Sequence, residues 1–332
     1  VTSFSRRHIL GAGAIGALAA AGPGRGASAA GFPTKPVTIA IGNAAGGPTD
    51  ALMRAMSPKL MERWGQPVVV ENRAGASEIL AAQFVAKAPS DGHTLLLATE
   101  APLTMNQFLF RRLPYDPEGD FASVSLLLNA PLALAVPASS PANSLQDFIA
   151  MARSRGGAKP LSYGSAGAGT PIHLPMVMFA KQNGLEMVHV PYRGLAPALT
   201  DLISGRIDAA WGGLAAVGPY LREGRLKALV VDAPGRVRAF PDIPAIGETG
   251  IPSPQASFIF ALVAPTGTPL ATRERLAADL KAVLFESDFN GRYVEPFGYI
   301  PVGATPGELD TYLAKDRLLQ AERVRLSGAT LD

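Results

Sequence analysis

Cysteine is absent from the 332 residues, so no disulfide can brace this chain and its stability must come from burial alone. Histidine is scarce, with four in all. His8 falls in the N-terminal segment, and His93, His173 and His189 show no ligand spacing with Asp or another His, so no metal site is expected. The charge balance carries little sign. Of 30 basic residues, Arg6, Arg7 and Arg25 precede Ala30, which leaves 27 against 27 acidic residues. Without a basic stripe or an interleaved aromatic platform, nucleic acid is excluded as a partner. After Ala30 no apolar stretch reaches the roughly 20 residues that cross a bilayer. Internal repeats of fixed period are also missing, which excludes a solenoid.

What is present begins with Ser5-Arg6-Arg7-His8-Ile9-Leu10, an uncharged Gly/Ala/Leu run from Gly11 to Ala21, and Ala27-Ser28-Ala29 ahead of Ala30. A charged start, a short apolar stretch and a small-residue cleavage site make residues 1–29 an export signal, cleaved near Ala29/Ala30, and place the remaining chain in the periplasm. Arg6-Arg7 resembles a twin-arginine signal, with Ile9-Leu10 an approximate match to the apolar pair; the general secretory route is the alternative. Gly11, Gly13 and Gly16 match the dinucleotide fingerprint in form only, since no strand precedes them.

Beyond the signal, short β-rich runs alternate with helical patterns: Val37 to Ile41, Asp50 to Arg63, Val68 to Glu71, Ile79 to Lys87 and Thr94 to Ala98. Such alternation predicts crossover units and parallel sheet. Pro58 inside the first helical pattern predicts a kink or an early end. A second set follows: Leu132 to Val136, Leu145 to Ser154, Leu161 to Gly164, a helix after Thr170, Val188 to Val190, Ala196 to Ser204, Ile207 to Trp211 and Ala228 to Val231. Leu132 to Val136 and Phe258 to Val263 end in similar Pro-containing turns and read as paired crossings between two lobes. One lobe would comprise residues 30–131 and 259–332, and the other 132–258. Thr268-Pro269 and Thr305-Pro306-Gly307-Glu308 each offer a hydroxyl cap with proline at the first helical position, the second with a capping-box Glu.

Enzyme signatures are poorly represented. Tyr163-Gly164-Ser165-Ala166-Gly167 has Tyr163 where a nucleophile elbow needs glycine. The best catalytic set the chain offers is Ser165, His173 and Asp208. Two glycine-rich strand-to-helix turns are more informative. Gly42-Asn43-Ala44-Ala45-Gly46-Gly47-Pro48-Thr49-Asp50 would aim free backbone N–H groups and a helix dipole at a cleft, a ready anion site, and lacks the Gly-Lys-Ser/Thr ending of a P-loop. Gly164-Ser165-Ala166-Gly167-Ala168-Gly169-Thr170 repeats the placement in the other lobe, adding the hydroxyls of Ser165 and Thr170 and then His173. Each alone reads equally as a tight turn needing glycine; the pair suits an anion clamped between lobes.

The chain resembles the Bug family of extracytoplasmic receptors, associated with tripartite tricarboxylate transporters, over essentially its whole length after the signal. The matching segments include Ala44-Ala45-Gly46-Gly47-Pro48-Thr49-Asp50, Gly65-Gln66-Pro67-Val68-Val69-Val70-Glu71-Asn72-Arg73, Asp91-Gly92-His93-Thr94-Leu95-Leu96, Leu113-Pro114-Tyr115-Asp116 and Ser165-Ala166-Gly167-Ala168-Gly169-Thr170 with His173. They continue through His189-Val190-Pro191-Tyr192-Arg193-Gly194, Phe240-Pro241-Asp242-Ile243-Pro244 and Ala264-Pro265-Thr266-Gly267-Thr268-Pro269. The resemblance implies an α/β, two-lobed periplasmic binding protein of type II (Venus-flytrap) form with two crossover strands. It also implies a carboxylate held by Ala45, Gly46, Gly47, Pro48, Thr49 and Asp50 of one turn and Ser165, Ala166, Gly169 and Thr170 of the other, with membrane transporter subunits as partners.

Asp208 takes the strand position that in this family faces the cleft; its other reading is a capping or solvated Asp. The sequence departs from the family at Ala76-Ser77-Glu78-Ile79, which replaces the usual glycine and asparagine, and at Thr99-Glu100-Ala101. Glu100 either points into the cleft, where it would repel a second ligand carboxylate, or faces solvent. Tyr192 and Trp211 either stack on an aromatic ligand or pack in the core. The expectation is a monomeric receptor for a small aliphatic, amino or aromatic carboxylate, without a cofactor and without turnover. A ligand sensor for a signalling partner and an exported enzyme on the same lobes are the alternatives.

Overall fold

The computed structural model describes residues 31–157 and 159–331, so the export signal expected over residues 1–29 lies outside the described residues. Short β-rich runs form the first three strands, β1 (Val37–Ile41), β2 (Val68–Asn72) and β3 (Thr94–Ala98). Ile39, Ile41, Leu95 and Leu97 pack to one face, against α1 (Pro48–Trp64), and Ala40, Leu96 and Ala98 to the other, against α2 (Ile79–Ala86). Burial on both faces is what parallel strands require. Pro58 neither ends nor shortens α1. Leu52, Met53, Met56, Leu60 and Trp64 are buried along its length, and that packing outweighs the one backbone bond proline removes. A four-residue helix, α3 (Asn106–Leu109), follows β3.

The strand β4 (Phe121–Pro137) is 17 residues long and belongs to two sheets. Its first part, to Pro131, pairs antiparallel with β9 (Ser257–Pro265); from Leu132 it pairs with β7 (Ala209–Gly213) and β8 (Leu226–Val231). The strand passes through Pro131 where its partner changes. Phe121 to Ala130 is not among the strands expected from the sequence; its pairing with β9 makes it one. The first sheet runs β2-β1-β3-β9-β4, with β10 (Ile300–Pro301) also on β4. The second runs β8-β4-β7, then β5 (Leu161–Ser165) and β6 (Met187–Pro191).

Helices α4 (Leu145–Arg155) and α5 (Leu174–Asn183) cover one face of the second sheet, around Leu134, Phe148, Phe179 and Trp211. On the other face α6 (Leu195–Ile203) and α7 (Leu214–Arg222) pack on Ala133, Ala135 and Ala210. The first sheet is completed by α8 (Leu270–Leu284), α9 (Ser287–Tyr293) and α10 (Pro306–Ser327).

The Leu132–Val136 segment and β9 do not pair with one another. Phe258 pairs with Ala130 and Ser257 with Pro131, so β9 lies in the first sheet from its start and the chain returns to that sheet through residues 252–256. Thr305 caps α10, and Glu308 completes the capping box. Thr268 does not cap α8. Its hydroxyl donates to the Pro265 carbonyl at 2.7 Å, and Pro269 takes the cap position.

The return segment is tied to both sides. Asp232 accepts from the Ser253 hydroxyl and the Ala256 N–H, each at 2.7 Å. From α10, the Arg323 guanidinium donates to the carbonyls of Pro254 and Gln255. Facing Arg323 are two buried acids, Asp316, which accepts from the Thr104 hydroxyl, and Glu100, which accepts from the Ile259 N–H at 3.2 Å.

Burial, with Asp316 nearby, pushes the Glu100 carboxyl up to about 8 from 4.5. The folded chain therefore keeps a proton that the unfolded chain has lost, and folding stability must fall as pH rises from about 4.5 to about 8, by at most about 1.4 kcal/mol per pH unit for this group. Denaturant titrations across that range are predicted to give a flatter dependence for Glu100→Gln than for the parent chain. Identical slopes would contradict this assignment.

Candidate functional site

Where the two sheets meet, a chamber of about 640 Å³ opens between the first strand-to-helix turn, the 166–172 segment and the start of α7. Its body is apolar, with Ala101, Met105, Ala130, Phe258, Phe260 and Tyr299 among the lining residues. Among the described residues that line it there is no lysine, arginine or histidine, and Glu78 is the one carboxyl. A small-molecule site of this size and polarity is ordinary for ligand-binding proteins.

Three helices present their N-termini to this space. Pro48 and Thr49 open α1, Leu195 opens α6, and Ala215 and Ala216 stand in the first turn of α7. The residue before each is glycine, namely Gly47, Gly194 and Gly213, and none of the three termini has a side-chain cap. By contrast α4 is capped by Ser144 and α10 by Thr305, both away from the chamber. A glycine cap leaves first-turn N–H groups open, and the aligned peptide dipoles make these ends positive. Thr49, exposed over only 3% of its surface, adds a buried hydroxyl whose Oγ1 lacks any partner within the protein. A buried polar atom left open at a cavity wall marks a place where a ligand supplies the missing bond.

The residues picked out by sequence are divided by the fold. Pro48, Thr49, Ala166, Gly169 and Thr170 line the chamber. Ala45, Gly46 and Gly47 lie in the same turn but not on the lining. Asp50 organises that turn. Its carboxylate accepts from the Gly46 N–H at 2.9 Å and from Arg54 at 2.8 Å. Burial pushes the Asp50 carboxyl up, but these bonds outweigh it and hold it below the usual range. Thr170 donates to the Gly167 carbonyl at 2.8 Å and so closes the second turn on itself.

Ser165 and His173 stand behind the second turn. Ser165 is fully buried, with Oγ 2.6 Å from His189 Nε2 and 3.1 Å from the Gly167 N–H. His173 Nδ1 accepts from the Gly169 N–H at 3.2 Å. Burial and the neighbouring His189 ring, 4.0 Å away between centroids, push His173 down to about 4, so it is a neutral acceptor at pH 7. These groups set the shape of the turn rather than facing its contents.

Asp208 precedes β7, at the opposite end of the strands from Ser165. It accepts from the Ser162 N–H at 2.8 Å and the Ser162 hydroxyl at 2.9 Å. The trio Ser165, His173 and Asp208 is therefore not assembled. Tyr192 turns away from the chamber and donates to Asp201 at 2.8 Å, and Trp211 is a fully buried core residue. Glu100 lies against α10, on the far side from the lining.

The acid at the wall is Glu78. Ala76, Ser77 and Glu78 all have positive φ, at 46°, 52° and 69°. Three consecutive non-glycine residues in the left-handed region cost of order 1 kcal/mol or more each, and such strain gathers at functional sites. The turn is held from outside by Asn106, which donates to the Ser77 carbonyl at 2.9 Å. Gly42 makes room for it, since a Cβ there would stand 2.4 Å from Glu78 Cβ. Glu78 accepts from the Thr99 hydroxyl at 2.6 Å, the Thr99 N–H at 3.2 Å and Asn43 at 3.2 Å. Burial raises its carboxyl above the ordinary value despite these donors. Sequence reasoning noted the departure at positions 76–79 but placed the acid of interest at Glu100. The signal that distinguishes them is the glycine at 42, legible only once the turn is folded beside it.

Comparison with known proteins identifies the scaffold. A family model described as the tripartite tricarboxylate transporter family receptor matches residues 52–298. Protein BugT of Bordetella pertussis is 33% identical over 318 residues, covering 95% of this chain and 96% of that protein. Among solved structures, R. palustris Rpa4515 with adipate superposes with a TM-score of 0.78 at 32% identity, covering 90% of this chain and all of that one. MatC (Rpa3494) from Rhodopseudomonas palustris with bound malate gives 0.73 at 31% identity, covering 88% of this chain and all of that one. The two-sheet architecture, the chamber between its halves and these likenesses agree, and the chain belongs to the tripartite tricarboxylate transporter receptor family.

Proposed function

We propose that this protein is a periplasmic receptor that captures a small organic carboxylate and presents it to membrane transporter subunits without transforming it. The observation that carries the reading is the meeting of three glycine-capped helix N-termini with the unpartnered hydroxyl of Thr49 at one apolar chamber. Fixed N–H dipoles at the wall of a largely apolar chamber favour an anion without any cationic side chain. Ala166, Gly169 and Thr170 would complete the grip from the second turn. Adipate and malate in the two solved relatives are the precedent for a carboxylate in this family.

The lobes would divide at Pro131/Leu132 and within residues 252–256, and would close by bending there. The receptor would act as a monomer, since each chain carries a whole chamber. Export through a signal ending near Ala29 would deliver it to the periplasm.

Two measurements check this. A thermal-shift screen of the protein from Ala30 onward against aliphatic dicarboxylates, hydroxy acids, amino acids and aromatic acids is expected to give a rise with one class. The bound compound should be recovered unchanged. A ligand at about 100 times its Kd adds about 2.7 kcal/mol to stability; no rise with any carboxylate, or conversion of the compound, would contradict the reading.

Thr49→Val should then weaken that ligand by about 10- to 100-fold in calorimetric titration. The melting temperature without ligand should stay unchanged or rise slightly, because the removed hydroxyl has no partner to strand. Unchanged affinity would remove Thr49 from the site.

A further inference from the structure

Glu78 bears on what the chamber accepts, and the inference drawn from it rests on the receptor reading above. It stands at the wall of a space that holds no lysine, arginine or histidine among the described lining residues, and its exposure is only 8%. The groups around it are neutral donors. The Thr99 N–H is fixed by the backbone, and the Thr99 hydroxyl accepts from the Ala101 N–H at 3.2 Å, which leaves its own proton for Glu78 Oε1. Asn43 offers a third donor to the same oxygen. Three donors on the carboxyl oxygens favour the ionised carboxylate and work against the burial that raises it. Oε1 receives two bonds and Oε2 one, which leaves Oε2 with an unused acceptor position on a residue of the chamber lining.

An anion in a cavity that already contains an anion, with no cation to divide between them, is strongly disfavoured. One carboxylate is offset by the helix N-termini; a second has nothing to offset it. A ligand group that donates a hydrogen bond gains at Glu78 what a second carboxylate loses, since a bond to a buried charged acceptor is among the stronger ones.

We propose that Glu78 is the specificity-determining residue of the chamber, selecting a monocarboxylic acid with an apolar body and one hydrogen-bond-donating substituent, an amine or a hydroxyl, and rejecting dicarboxylates. The strained turn at 76–78 and the bare Cα of Gly42 are the means by which this carboxyl is brought to the wall. The neighbouring family members named above, with adipate and malate, show what the same scaffold accepts elsewhere.

The test uses acids of one size: hexanoate, its 2- and 6-amino and 2- and 6-hydroxy derivatives, and adipate. Each is titrated calorimetrically into the parent protein, Glu78→Gln and Glu78→Gly. The glycine variant guards against misfolding, because φ of 69° suits glycine without strain. In the parent, at least one amino or hydroxy derivative should bind about tenfold or more tighter than hexanoate, with adipate the weakest. Both variants should lose that preference and bind adipate more tightly than the parent does.

Adipate binding the parent as tightly as any derivative, or variants keeping the parent's ranking, would overturn the assignment of Glu78 while leaving the receptor reading intact. Failure of every acid to bind any of the three proteins would overturn both. An amine preference without a hydroxyl preference would identify the donor as a cation and support the proposal in its narrower form.

Discussion

A carboxylate can enter a buried site only if something replaces the water it leaves, and in this chamber that replacement has to come from the backbone. The apolar walls supply dispersion, but among the described lining residues there is no lysine, arginine or histidine. The open N–H groups at the starts of α1, α6 and α7 therefore carry the electrostatics. Much of the surrounding structure follows from keeping them open. Glycine rather than serine, threonine or aspartate stands at each cap, and Asp50 binds Gly46 and Arg54, so the one carboxylate in the first turn is occupied within it. Behind the second turn, neutral His173 accepts from Gly169 and Ser165 pairs with His189, which fixes the backbone without placing a charge at the chamber.

The same constraint gives meaning to the two buried acids, which have opposite settings. Glu100 is placed against α10 with Asp316 and Arg323, a charge cluster that also holds the carbonyls of Pro254 and Gln255. It belongs to the joint between the sheets. Glu78 has only neutral donors and an unfilled acceptor position, and it belongs to the chamber. An acid buried in such a cluster mainly sets how stability depends on pH. An unpaired one at a cavity wall mainly shapes what can bind.

Much of the fold was legible in the sequence because its strands are bounded by turn residues and its helices by caps. Val37 to Ile41 and Thr94 to Ala98 were read at their observed limits, and most other elements of the two sets lie within about two residues of theirs, the exception being Leu132 to Val136, which is only the end of the longer β4. What misled were residues whose local preference is overridden by packing. Pro58 is carried inside a buried helix, Pro131 sits where a strand changes partners, and Thr268 bonds backward to Pro265 instead of capping.

The site was less legible. The two glycine-rich turns were found from their strand-to-helix placement, and both reach the chamber. Which side chains face inward depends on strand ends and on non-local contacts. Asp208 falls at the wrong end of β7, Tyr192 is drawn off by Asp201, and Phe258, Phe260 and Tyr299 line the chamber from far along the chain. Periodicity carries no record of such convergence.

The claim on which all of this depends is that a ligand carboxylate is held by helix N-termini. A crystal structure of the protein with a bound acid tests it most directly. Carboxylate oxygens are expected within hydrogen-bond distance of the Thr49 hydroxyl and of first-turn N–H groups of α1 or α7, with no lysine, arginine or histidine side chain on them. A carboxylate paired with a cationic side chain, or lying outside the chamber, would contradict it.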